Sequence, residues 1–277
     1  MMVRLRRPEA ALVDLAQIHL DSVVPRVGTV HDDLPALTGS DLDGRSGSQA
    51  EAYAVSSDLE RARRLARLAI DTHEPSRRKA GLILRKADGL EERAALAQVL
   101  GRSGTLLREG NFAEALHALD AAGAAGAGEP RVVRQRALLL LKLERFDEAE
   151  TAAATLHSST SPVAGEFLAS FPSLAFRQRV TAACRMLRDG ESSGALAILD
   201  GAVAMDRDQA VELAYCRGFA LTMDAFRLRR ASDETGARQA FKAAMDRVEP
   251  QVAAARASGH SRLIDLYETL DKELDHQ

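Results

Sequence analysis

Apolar residues recur at helical spacing through most of this chain, and alanine holds many of the positions that would face a neighbouring helix. In the stretch 58–69, Ala62, Ala66 and Ala69 share one side, Arg61 and Arg64 lie on this presumed outer helix, and Pro75 follows. The pattern predicts a helix from about Glu91 to Arg108, a turn at Glu109–Gly110–Asn111, and a second helix from Phe112 to about Ala122. Pro130 is placed as a helix-opening proline, and a similar helix–turn–helix pattern runs from there to residue 157. A weaker copy extends from Arg179 to Ala204, with Gly190 at its turn. Another pairs Val211–Met223 with Thr235–Val248 through Gly218, Leu221, Ala237, Phe241 and Ala244, leaving Arg227, Arg229 and Arg230 in a longer connection. The stretch from Ser261 to Leu274 is amphipathic at the same period.

Two regions break the pattern. In residues 1–50, Pro8–Val24 forms a candidate helix with Leu12, Leu15, Ala16 and Ile18 on one side, followed by a Gly-, Asp- and Ser-rich stretch from Val30 to Gln49 that reads as a linker. The helix is either a docking element on a tether or a segment that packs on the first helices. Residues 158–172 open with a Ser/Thr/Pro cluster, a loop signal. They continue through Phe167, Leu168 and Phe171 to Pro172, and read as an insertion capping the preceding unit.

The two best-formed pairs superimpose at a fixed offset. Phe112 falls on Phe146, Glu114 on Glu148 and Ala115 on Ala149, 34 residues apart. That period, with small residues Ser103 and Ala115 where two helices would cross, resembles the tetratricopeptide repeat family. Ala137 and Ala149 repeat the small positions, while Glu144 replaces the turn glycine and Val99, Leu106, Val133 and Leu140 stand where the family has Trp and Tyr. The resemblance implies an all-α, right-handed α-solenoid with a C-terminal capping helix. Its units would be a degenerate one within 51–157, then 91–122 and 130–157, then two more in 173–249 after the 158–172 insertion, with the cap at 250–277. Such units cannot bury their apolar faces alone and must stack.

Composition narrows the function. A formal net charge of −3 over 277 residues argues against a general nucleic-acid binder. No apolar run reaches the roughly 18 residues of a membrane span, and no signal-peptide core follows Met1, so a cytoplasmic location is expected. Cys184 and Cys216 form no metal-ligand pattern and read as reduced thiols. Seven histidines are scattered singly. Gly39–Ser46 approaches a phosphate-binding loop, with Arg45 where lysine belongs, but lacks a preceding strand. No catalytic set can be assembled, so a non-enzymatic protein without cofactor or metal is expected.

The resemblance also maps a concave groove. Its lining would be Leu100, Gly104, Leu107 and Arg108; then Arg131, Arg134, Leu138, Leu141 and Lys142; then Arg177, Val180, Cys184, Leu187 and Arg188; and finally Glu212, Tyr215, Phe219 and Met223. An apolar floor with a basic rim suits an acidic or amphipathic protein segment. Grip on the C-terminal Glu-Glu-Val-Asp of heat-shock chaperones is not expected, because Gly104 and Leu138 replace the required asparagines and Gln135 replaces the third. The expected function is a protein-binding adaptor, with a chaperone or assembly factor of a bacterial secretion or surface apparatus as a close variant. A self-assembling subunit or a regulatory module of a larger complex is the alternative.

Overall fold

The computed structural model describes residues 12–21, 48–72 and 77–275. All its regular elements there are helical, with no strand among the described residues. Helix α1 covers residues 12–21. It is followed by α2 (Ser48–Thr72), α3 (Arg77–Arg108), α4 (Phe112–Asp120), α5 (Gly123–Ala127), α6 (Pro130–Lys142) and α7 (Phe146–Ala154). After a single turn of 3-10 helix come α8 (Pro162–Arg188), α9 (Ser192–Asp200), α10 (Arg207–Arg230), α11 (Glu234–Val248), α12 (Val252–Ser258) and α13 (Ser261–Asp275). The chain divides into two compact units, Met1–Gln135 and Arg136–Gln277, with the boundary inside α6.

One turn geometry occurs four times. The amides of Asn111, Arg145, Glu191 and Asp233 donate to the carbonyls of Leu106, Leu140, Met186 and Leu228 at 2.8–3.0 Å. In each turn the preceding amide donates to the residue after that carbonyl, as Gly110 does to Leu107 at 3.2 Å. These paired bonds close the last helical turn and satisfy carbonyls that would otherwise be orphaned. The motif requires a left-handed residue: Gly110 and Gly190 both sit at φ 82°, Glu144 at 61° and Ser232 at 63°. A side chain is disfavoured in that region, so Glu144 and Ser232 hold it against their local preference.

Counting from these turns puts eight small residues at equivalent places. Ser103, Ala137, Ala183 and Ala225 lie seven residues before the left-handed residue, and Ala115, Ala149, Ala195 and Ala237 five after it. All eight are 0% exposed, so each helix pair closes with no room for a larger side chain. At the one non-alanine position, the Ser103 hydroxyl donates to the Ala115 carbonyl at 2.9 Å. It also accepts from the Gln135 amide at 3.0 Å.

In the first unit, α1 is part of the core. Its Val13, Ala16 and Leu20 pack with Leu59, Ala66 and Ala69 of α2 and Ala80, Ile83, Ala87 and Leu90 of α3. Arg63 pins the same hairpin by bonding Asp88 at 2.6 Å and also Glu91. In the second unit, α10 is buried on two sides. Its Leu213, Cys216 and Ala220 join α8 and α9, while Val211, Ala214 and Ala225 join α11, α12 and α13. Gly218 permits this double burial, since a Cβ there would stand 2.3 Å from Val248 Cγ2.

Several helix limits differ from the sequence expectation. Helix α3 begins at Arg77, well before Glu91, and one long helix serves both α2 and α4. Residues 162–172 are not a linker: Pro162 opens α8, and Pro172 lies inside it. A proline is tolerated at the first helical position, while the internal one removes a single amide donor. Arg227, Arg229 and Arg230 are helical, because α10 runs on to Arg230. Residues 250–277 hold two helices rather than one, broken at Gly259 with φ 77°. The stretch Val30–Gln49 lies outside the described residues except for the start of α2, and Gly39–Ser46 lies wholly outside them.

Candidate functional site

The mapped groove residues separate into core, anchors and open surface. Leu100, Leu141, Val180 and Leu187 are buried and cannot form the floor of an open groove. The apolar side of each helix is consumed by its own neighbours, as Val180 and Leu187 are by Phe176, Leu199 and Leu213. Gln135 is likewise engaged through its bond to Ser103, a structural tie between α3 and α6.

Within the first unit, Leu107, Arg131 and Arg134 are half-buried and Arg108 is exposed. Arg108 leans back on its own helix, donating from Nε to the Gly104 carbonyl at 3.4 Å. The same posture recurs in the second unit, where Arg177 donates to Ser173 and Arg188 to Cys184, both at 3.4 Å. Arg108, Lys142, Arg188 and Arg230 all stand two residues before the left-handed turn residue. A cation there is stabilised by the negative end of its own helix, roughly 0.3–1 kcal/mol each. The basic rim therefore has a local cause, whatever it binds.

The second unit carries the most developed surface. Tyr215 and Phe219, one turn apart on α10, stack with centroids 5.9 Å apart and planes at 25°. Met223 continues the line one turn further on and is 40% exposed. On α8, Cys184 is exposed, with Arg177 two turns before it and Arg188 one turn after it on the same helical side. The positive charge of Arg262 on α13 also acts on Tyr215. Burial pushes the Tyr215 hydroxyl up from its ordinary pKa, and the positive charge of Arg262 offsets part of that shift. Leu138 is half-buried and Lys142 exposed in the part of α6 belonging to this unit.

Other arginines of this unit are structural. Arg179, expected only as the start of a helix, is 5% exposed, lies 4.6 Å over the Phe146 ring and bonds Asp147 at 3.2 Å and Glu150 at 2.9 Å. Arg229 crosses the Phe241 ring at 4.8 Å and bonds Glu273 at 2.7 Å, tying α10 to α11 and α13. The sequence carries no mark of Arg262, and it pairs α10 with α11 through Gly218, whereas the turn at Ser232 sets the register. Counting from Ser232 instead places Phe219 at the position of Arg131 and Arg177, and Arg230 at that of Arg188.

Among the described residues, no three His, Cys, Asp or Glu side chains converge to hold a metal ion. No described helix is long and apolar enough to cross a membrane. No protein-family model, no curated protein and no solved structure matches this chain.

Proposed function

We propose that this chain is a tetratricopeptide-like α-solenoid that binds an acidic or amphipathic segment of a protein partner, and that it performs no chemistry of its own. The four copies of one helix-pair turn, each flanked by fully buried small residues, support the architectural part. The line Tyr215–Phe219–Met223 on α10, with Arg177 and Arg188 on the neighbouring α8, carries the binding part. Half-open aromatic and thioether side chains supply apolar anchors with little ordering cost. The arginines draw in carboxylates and weaken in that role as salt rises. Leu138 and Lys142 of the same unit are proposed as a further part of this surface, and Leu107, Arg108, Arg131 and Arg134 as a partner surface of the first unit by itself. Adaptor, assembly factor and partner-specific chaperone are forms of this one activity.

The test places a photo-crosslinking residue at Met223, on the proposed face, or at Ala197, exposed on α9. Partner adducts are expected from position 223, fewer at high salt and fewer in an R177E/R188E background with unchanged helicity. Equal adducts from both positions, insensitive to charge reversal, would refute the assignment. A self-associating subunit is the second reading, favoured by Leu15 and Ile18, which α1 leaves 48% and 64% exposed. Light scattering across a hundredfold range of concentration separates it, because the adaptor reading requires constant mass.

A further inference from the structure

Positive charge is concentrated in one stretch of this chain. Residues 61–86 hold nine Lys and Arg against two acidic residues, Asp71 and Glu74, leaving 28 against 38 elsewhere. The stretch covers the end of α2 and the start of α3, which pair antiparallel in the first unit. Two ties set their register: Arg77 Nε donates to the Ile70 carbonyl at 3.4 Å, and Arg63 bonds Asp88 at 2.6 Å. Between those ties, Leu68 of α2 stands level with Leu82 of α3. Helix α1 covers the side of this hairpin that carries Ala66, Ala69, Ala80 and Ile83. Helical spacing puts Arg64, Arg67 and Leu68 on the opposite side of α2, and Arg78, Leu82 and Arg85 on the opposite side of α3. The two leucines are 47% and 48% exposed. The four arginines are exposed, as are Lys79 and Lys86 beside them. Arg61 and Arg63 are held by carboxylates of the hairpin itself, whereas none of these six cations forms an ion pair with a described residue.

We infer that this outer face of the α2–α3 hairpin docks on the surface of an anionic lipid bilayer, with Leu68 and Leu82 in the headgroup–acyl boundary and the six cations on lipid phosphates. Any polyanion answers the charge, but a bilayer also answers the leucines. Their side chains can enter the acyl boundary while the long guanidinium and ammonium side chains stay among the headgroups. Basic groups are drawn to such a surface by its negative potential, over a range that salt shortens. A nucleic acid would leave the leucines against sugar and phosphate, and residues 61–86 contain no Phe, Tyr or Trp on which a base could stack. Docking of this kind needs no membrane-spanning helix, and no described helix is long and apolar enough to be one. The inference concerns the first unit by itself and does not rest on the binding of a protein partner.

The experiment sediments the full-length protein with vesicles of phosphatidylcholine mixed with phosphatidylglycerol, or of phosphatidylcholine alone. Duplex DNA and polyglutamate at matched charge serve as competing polyanions. Binding is expected to the anionic vesicles and not to the neutral ones, and it should fall as salt rises. R64E/R85E should weaken it more than about tenfold, since each reversal replaces an attraction by a repulsion. L68S/L82S should weaken it several-fold at low salt while leaving its salt dependence unchanged. All four positions are exposed, so helicity and urea midpoint should stay those of the wild type. The chain has no tryptophan, so L82W carries a single reporter and keeps the test decisive if a double variant does not fold. Its emission should shift to the blue on adding anionic vesicles, whereas H117W, at an exposed position of α4, should show no shift. Equal binding to neutral vesicles, tighter binding to DNA or polyglutamate, wild-type binding by L68S/L82S, or an unshifted L82W would each overturn the proposal.

Discussion

Replacing Gly218 by alanine tests the packing of α10 more directly than any surface change. Alanine is the better helix former, and in an open position the exchange stabilises a helix by about 0.5–1 kcal/mol. At Gly218 the new Cβ would lie 2.3 Å from Val248 Cγ2 and 3.2 Å from Leu266 Cδ2. Val248 is fully buried and branched at Cβ, and Leu266 is buried as well, so neither side chain can swing into solvent. Overpacking of this sort costs about 1–3 kcal/mol. The clash therefore outweighs the propensity gain, and G218A should lose roughly 1–2 kcal/mol once both effects are combined. Gly165, exposed on α8 with nothing within 4 Å of a Cβ, is the control in the same unit, and G165A should gain up to about 1 kcal/mol. Urea unfolding followed by circular dichroism measures both, and thermal midpoints should separate by about 2–4 °C per kcal/mol of difference. Adding V248A should make the loss in G218A smaller than additivity predicts, because the two side chains compete for one space. If G218A is as stabilising as G165A, or if V248A shows no coupling to it, α10 does not lie against α11 and α13 as described.

Further outcomes follow from the same contacts. Ala115→Leu and Ala149→Leu should each destabilise by about 1–3 kcal/mol, read from urea midpoints, since both residues are fully buried at helix crossings. Gly110→Ala should cost about 1 kcal/mol, because φ is 82° there and the left-handed region disfavours a Cβ. Burial raises the Cys216 thiol above its ordinary pKa, so its contribution is fully present below about pH 8.5 and is lost as pH rises from there toward the folded value. Unfolding midpoints measured under reducing conditions should therefore fall more steeply above pH 8.5 in the wild type than in C216A.

Much of the architecture is legible in the chain. The 34-residue spacing, the alanines at the crossings and the turn glycines report local requirements, because each depends on a few residues near one turn. A left-handed position and a close helix crossing restrict residue type strongly, so they leave a readable mark. Even Glu144, which breaks the glycine rule, was placed by its neighbours Phe146 and Ala149. The candidate surface was less legible. Helical period shows which side of a helix is apolar, but not whether that side meets another helix or solvent. Leu100, Leu141, Val180 and Leu187 fell on the wrong side of that distinction. Gly218 is a close-approach glycine facing Val248, and the turn at Ser232 rather than Gly218 sets the register of α10, a distinction the sequence alone does not carry. Only the tertiary structure gave Arg179 and Arg229 their places against aromatic rings and their carboxylate partners. These contacts join residues tens of positions apart, and nothing local in the chain carries a trace of them. Local backbone and packing requirements are written into the sequence one residue at a time, whereas the surface is what remains exposed after every helix has found its neighbours.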